Sequence, residues 1–246
     1  MTILRVIEDL NVLLAKAEFG PQDYPLVDHA DLGRAMVKLS PVAVSEVLGY
    51  RLGHAIGVPL ARVEGIMISN ATRLPLDRVS ENRIGIFIEY LPITRIWSLE
   101  AMCAHDPEVA AAALTLCLFD RHEWGQFGQS GERLFFFDLE RILPAFQLDV
   151  HPDEDARHML ATLERHSQSY QAGDNDAIGE IADLALKYGF MSLVEDHLRR
   201  LQRTSRADWR ALFGLTPHPM ADTVARLAAN ALCCRLDRAC AVWKRL

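Results

Sequence analysis

The stretch from Ser40 to Pro59 constrains the fold more than any other. Ser40-Pro41 supplies a capping side chain and a first-turn proline, and Val44, Val47, Leu48, Leu52, Ala55 and Ile56 recur at helical spacing until Gly57 and Pro59 end the run. Strand-like pieces flank this helix. Before it, YPLV and RAMVKL surround the turn-like His29-Ala30-Asp31-Leu32-Gly33, which predicts a hairpin over residues 24–39 with Lys38 in its second strand. After it, residues 61–69 (ARVEGIMIS) and 83–91 (RIGIFIEYL) predict strands, the second rich in β-branched and aromatic side chains and ended by Pro92. The first third therefore reads strand, strand, helix, strand, strand, preceded by a short amphipathic helix over residues 4–15.

The rest of the chain has a different texture. Asp106-Pro107 opens a second capped helix, alanine- and leucine-rich, that runs to about Phe119. Residues 120–133, DRHEWGQFGQSGER, read as a loop because of their three glycines and their charges, and LFFFDLE returns to a short buried strand. Beyond Asp153 helices are expected at about 154–170, 175–187, 190–203 and 221–243, separated by turn signals such as Ala172-Gly173-Asp174-Asn175 and Thr216-Pro217-His218-Pro219. There is no internal repeat or long linker, so the natural boundary follows Tyr90-Leu91-Pro92. The expected class is α+β in two lobes: residues 1–92, strand-rich with one long helix, and residues 93–246, mainly helical.

Bulk properties exclude several kinds of protein. With 246 residues, half of them apolar, the chain can bury one sizeable core or two small ones without disulfides. A formal net charge of −7 works against sequence-independent binding to nucleic acid or to an anionic membrane. The local cluster Arg199, Arg200, Arg203 and Arg206 reads as the solvated face of a helix. Five scattered cysteines, Cys103, Cys117, Cys233, Cys234 and Cys240, lack zinc-site spacing and read as reduced core thiols. Glu8 and Asp9 interrupt the first apolar stretch, so no signal peptide is expected, and no run approaches the roughly 20 apolar residues of a membrane helix. These features fit a cytoplasmic protein and are equally compatible with an effector delivered by a secretion machine.

Two aspartates stand where a buried apolar element meets a loop: Asp120 after the second helix and Asp138 after Phe135-Phe136-Phe137. A carboxylate so placed needs a cation, a metal or hydrogen-bond donors. Nearby Arg121, Arg133 and Arg141 offer purely structural partners. The helix-Asp-loop-strand-Asp order also lets one carboxylate orient or deprotonate an acceptor hydroxyl while the other holds magnesium, the two tasks of phosphoryl transfer. Other chemistries lack support. The nine histidines show no HExxH, no GxSxG is present, and Cys103 and Cys117 lie on or beside an apolar helix.

The run MVKLSPVAVSEVLGYRLGHAIGVPLARVEGI resembles the strand-lysine, helix, strand segment of the protein-kinase-like phosphotransferases related to HipA toxins and to phosphatidylinositol 3- and 4-kinases. GIFIEYLP resembles the strand that leads into their interlobe hinge, LFDRHEWGQFG their catalytic loop, and FFFDLE their metal-binding strand end. The resemblance spans roughly residues 34–140 and implies a two-lobed kinase-like fold. It implies ATP and Mg2+ as cofactors, with Lys38 on the nucleotide phosphates, Glu46 as its partner, and the backbone of Glu89, Tyr90 and Leu91 against the adenine. It further implies Asp120 as the catalytic aspartate and Asp138 as a magnesium ligand. The family's usual loop asparagine is replaced here by Gly125, so either Gln126 takes the second metal position or that site is altered, and the metal motif reads Asp-Leu-Glu. No GxGxxG or Walker A run is present, which leaves Glu18-Phe19-Gly20-Pro21-Gln22 or the Asp31-Leu32-Gly33 turn to cover the phosphates. The implied activity is transfer of a phosphoryl group to a hydroxyl, with a protein Ser/Thr as the expected acceptor and no membrane insertion or nucleic-acid partner. Two alternatives remain open: a degenerate kinase fold kept as a binding or regulatory module, and transfer of AMP from the same cleft. The sequence leaves oligomeric state undetermined.

Overall fold

The computed structural model describes residues 4–7, 17–19, 24–38, 43–68, 83–119, 127–137, 139, 142, 161, 164–165, 176–218 and 220–246. A six-stranded sheet draws on the N-terminal part: β1 (Arg5–Ile7), β2 (Glu18–Phe19), β3 (Pro25–His29), β4 (Gly33–Lys38), β5 (Val63–Ile68) and β6 (Arg83–Glu89). Its spatial order is β1-β5-β6-β4-β3-β2, antiparallel throughout except for the β1–β5 edge. Helix α1 (Ala43–Ile56) joins β4 to β5. Both of those strands run antiparallel to β6, so α1 crosses β6 to connect two strands that point the same way, and it packs on β5 and β6 as it does so.

The C-terminal part is mixed before it becomes helical. After β6 come β7 (Arg95–Trp97), α2 (Leu99–His105) and α3 (Pro107–Cys117), followed by the hairpin β8 (Phe127–Ser130) and β9 (Arg133–Phe136), which forms a three-stranded sheet ordered β7-β8-β9. Then follow α4 (Asp176–Lys187), α5 (Met191–Arg203), α6 (Arg206–Leu212) and α7 (Ala221–Trp243). Ser98 caps α2 through the Ala101 amide, and Asp106 caps α3 through the Val109 amide. The class is α+β, as the sequence indicates. No described helix is long and apolar enough to cross a membrane, and all five cysteines are free thiols.

The structure corrects two readings and adds four elements. Residues 5–7 form a strand where an amphipathic helix over 4–15 was expected. Arg5, Val6 and Ile7 pair in parallel with Ile66, Met67 and Ile68 at the edge of the sheet, and this pairing satisfies backbone groups of β5 that a helix would leave open. Residues 8–16 lie outside the described residues. The second half of the expected 120–133 loop is strand β8. Gly128, which reads as a breaker, faces Phe135 across the ladder, and a Cβ there would stand 2.7 Å from the Phe135 ring. The glycine is a seat for that ring. The strands β2 and β7 and the helices α2 and α6 are short elements that carry little periodic signal, and the helix expected at 154–170 falls mostly outside the described residues.

Helix α1 is the centre of the molecule. Twelve of its fourteen residues are buried, including Ser45, Glu46 and Arg51. Two glycines one turn apart permit this enclosure. A Cβ on Gly49 would lie 2.8 Å from the Leu139 carbonyl oxygen and 2.9 Å from the Ile142 Cβ, and one on Gly53 would lie 2.7 Å from Leu60 and 3.2 Å from Leu116. Arg51 donates to the carbonyls of Leu212 (3.3 Å) and Gly214 (2.5 Å), and burial lowers its pKa to about 10. The helix is thus held by β5 and β6, by α3, by Leu139 and Ile142 and by the chain following α6.

Gly49→Ala should destabilise the protein by about 1–3 kcal/mol in denaturant unfolding, because backbone and Cβ atoms on both sides must shift. Gly179→Ala in α4, where an added Cβ meets nothing within 4 Å, should instead stabilise by about 0.5–1 kcal/mol through helix propensity.

Candidate active site

Lys38 is the last residue of β4 and Glu46 sits in the first turn of α1. Their side chains meet at 3.1 Å, Nζ to Oε1, with side-chain exposures of 9% and 1%. The two residues come together because the strand ends directly before the helix and the helix folds back over the sheet. A carboxylate in the first turn also suits the positive end of the helix dipole. The sequence left Glu46 open between a solvated surface position and a lysine partner, and the structure decides for the partner.

Tyr24 is a neighbour that sequence reading missed. In the β3–β4 ladder the register Leu26↔Met36 places Tyr24 opposite Lys38, and the ammonium lies 5.3 Å from the centre of its ring. The signal was available in the hairpin: once the turn is fixed at 30–32, pair counting brings Tyr24 to Lys38.

The same register separates the two segments considered for covering phosphates. The Asp31-Leu32-Gly33 turn lies at the opposite end of β4 from Lys38, about 17 Å away along five residues of strand. It is also tied down. The amides of Asp31 and Leu32 donate to His29 Nδ1, and Arg62 donates to the carbonyls of both residues. With Nδ1 accepting, His29 carries its proton on Nε2 and donates to Glu64 at 2.6 Å. By contrast Phe19 pairs with Pro25, so Phe19 and Tyr24, the described residues on either side of the 20–23 connection, stand at the Lys38 end. Residues 20–23 themselves lie outside the described residues.

At the far end of β6, Glu89 is a junction. Arg62 donates to it from Nε (3.1 Å), Nη2 (2.8 Å) and its backbone amide (3.0 Å), and Arg133 donates from Nη1 (2.8 Å). Burial pushes the Glu89 carboxyl upward, but these donors outweigh it and hold the pKa down at about 2. The Glu89 amide donates to the Arg62 carbonyl and the Tyr90 amide to the Arg34 carbonyl. Among the described residues the Leu91 amide has no backbone partner. Arg133, a sequence-level partner for Asp120 or Asp138, directs its described bonds to Glu89 and to the Leu60 carbonyl.

Asp120, Gln126 and Asp138 lie outside the described residues. Their neighbours are placed: Phe119 and Leu139 are fully buried, and the Leu139 carbonyl packs against Gly49, one helical turn from Glu46. Among the described residues no three His, Cys, Asp or Glu side chains gather as a metal site. Burial raises the thiol pKa of Cys103, Cys233 and Cys240, which disfavours thiolate chemistry.

No family model matches the chain. No curated protein matches it. Among solved structures it is similar to the Helicobacter pylori proinflammatory kinase CtkA, at 14% identity and a TM-score of 0.49, over 94% of this chain and 97% of that one. Similarity at that level decides neither fold nor activity.

Removing one member of the buried pair should cost about 3–5 kcal/mol, because the partner is left charged and desolvated. Glu46→Leu and Lys38→Met should therefore each destabilise strongly in denaturant unfolding, while the double variant should recover most of the loss and show a large coupling energy. Glu89 sets an acid limb. Its folded pKa lies below the unfolded value, so its contribution is present above about pH 4.5 and is lost as pH falls toward about 2. Urea unfolding across that range should show a shallower decline for Glu89→Gln than for the unaltered protein.

Proposed function

We propose that the chain is an ATP- and Mg2+-dependent kinase with a kinase-like two-lobed fold, residues 1–92 forming the strand-rich lobe and residues 93–246 the helical one. The observation that carries this reading is the buried Lys38–Glu46 pair, which joins a strand end to the central helix. An ion pair in such surroundings adds little stability over apolar side chains of similar volume. Its presence is accounted for by a task that needs a fixed cation. With Glu46 on one side and the Tyr24 ring on another, the Lys38 ammonium is positioned to meet phosphate oxygens as a preorganised charge.

The remaining roles follow from the sequence. Asp120 orients or deprotonates the acceptor hydroxyl, Asp138 and Gln126 hold magnesium, and the backbone of Glu89 to Leu91 receives the adenine, with the Leu91 amide best placed to donate. The packing of Leu139 on α1 supports this arrangement, since it ties the segment after Asp138 to the helix that carries Glu46. Phosphates would be covered by the 20–23 connection, whose flanking residues stand at the Lys38 end of the sheet. The acceptor is a hydroxyl, with a protein Ser/Thr as the first class to test.

Incubation with γ-labelled ATP and magnesium tests the proposal. Label on the protein or on an added Ser/Thr substrate should fall by about 100-fold or more in Asp138→Ala and in Lys38→Met. Product mass identifies the group moved: about 80 Da for phosphoryl, against about 329 Da for AMP. ATP that stabilises the fold thermally without any transfer would identify a binding module, and absence of both binding and transfer would sink the reading.

A further inference from the structure

Among the described residues five large apolar side chains are exposed, and two of them, Ile93 (47%) and Ile96 (67%), lie three positions apart at β7. β7 is the terminal strand of the three-stranded sheet. The strand at the other end, β9, is closed, because Phe136 bridges Leu60 and its amide donates to the Pro59 carbonyl. On β7 one edge meets β8, and no described residue pairs with the other. Such an edge offers a row of amides and carbonyls to another strand unless charge, proline or a bulge blunts it. Pro92 and the start of α2 at Leu99 limit its length but leave Arg95–Trp97 open. The one charge on it is turned aside. The Arg95 guanidinium lies 3.7 Å from the centre of the Trp97 ring, and that residue is itself fixed by stacking on His105 and by an indole N–H that donates to Gln129 at 3.0 Å. Ile96 is left at the middle of the edge.

We infer that β7 pairs antiparallel with β7 of a second copy of this chain, about a two-fold axis at Ile96, so that two three-stranded sheets become one of six strands. The order of side chains selects a second copy as the occupant. In that register Ile96 faces Ile96, each Arg95 faces the other copy's Trp97, Thr94 faces Ser98 and Ile93 faces Leu99, so apolar positions meet apolar ones and the two cations stay apart. An axis at Arg95 would instead set two guanidinium groups directly opposite, and one at Trp97 would set Ile96 against Ser98, which is committed to capping α2. The pairing also continues a surface already present. Ile96 lies across from Gly128, and Phe135 on the far side of that glycine lays its ring over it, so the two Ile96 side chains extend an apolar row across the new contact. The ladder is three residues long, which places the dimer among small, reversible interfaces. Dimerisation at this edge does not depend on the kinase reading.

Sedimentation of the intact chain at about 1 to 500 μM tests it. The mean mass should rise from that of one chain, 27.6 kDa, toward twice that value, with a Kd on the order of 10–300 μM. Ile96→Lys sets two cations opposite each other at the axis and should weaken association about tenfold or more, without changing thermal unfolding, because the side chain is exposed in the single chain. Val6→Lys at the edge of the six-stranded sheet and Leu186→Lys on α4 remove other exposed apolar side chains and should leave association unchanged. Register has its own readout. Under mild oxidation Ile96→Cys should form a linked dimer above the level of the unaltered protein, whereas Arg95→Cys should not, since its two copies stand diagonally about 7–8 Å apart. A mass that stays at that of one chain up to about 500 μM would overturn the pairing and leave the edge to a strand of another protein. Undiminished association of Ile96→Lys, or cross-linking through position 95 rather than 96, would overturn it as well.

Discussion

Enclosure of α1 is the constraint on which the rest of the structure depends. A helix buried around nearly its whole circumference cannot hide polar side chains on a wet face, so each one must find a partner inside. Glu46 meets Lys38, and Arg51 meets the carbonyls of Leu212 and Gly214. These contacts bind the helix to opposite parts of the chain, to β4 at its beginning and to the segment after α6 further along. The close approaches at Gly49 and Gly53 do the same with apolar atoms. Any movement of α1 therefore has to be shared with β4, Leu139, Ile142, α3 and the chain after α6.

A second junction forms around Glu89. Its two arginines come from different places, Arg62 before β5 and Arg133 at the start of β9, and Arg62 also reaches the β3–β4 turn. The Phe136 amide donates to the Pro59 carbonyl beside the same cluster. The six-stranded and three-stranded sheets are thus joined by one carboxylate, two guanidinium groups and a backbone bond. The end of β6 is held rigid there, while the Lys38 end of β4 is organised separately by Glu46 and Tyr24. Between the two junctions run three residues of the β4–β6 ladder, from Lys38 opposite Ile86 to Ala35 opposite Glu89, about 10 Å, which sets the distance over which a nucleotide bound as proposed would lie.

Much of this was legible in the sequence because the responsible signals are local. The β3–β4 hairpin, α1, β5, β6, α3 and the helices at 176–187, 191–203 and 221–243 follow from periodicity, capping residues and breakers. The two corrected segments share a cause. Arg5–Ile7 is a strand because β5 offers it an edge, and Phe127–Ser130 is a strand because Phe135 covers Gly128. In both places a distant partner overrides what the segment indicates by itself.

The sequence alone determined the α+β class, the order of the long elements and the placement of Lys38 at a strand end just before a helix, since each depends on neighbours a few positions away. Tertiary structure decided what those residues meet. It buried Glu46 against Lys38 when the helix could equally have turned that carboxylate to water, set Tyr24 over the ammonium by strand register, and gave Glu89 two arginines 27 and 44 positions distant. Helical spacing specifies which residues share a face, whereas only packing specifies whether that face is wet. For a helix enclosed on every side, that second decision is the one that places charge in the interior.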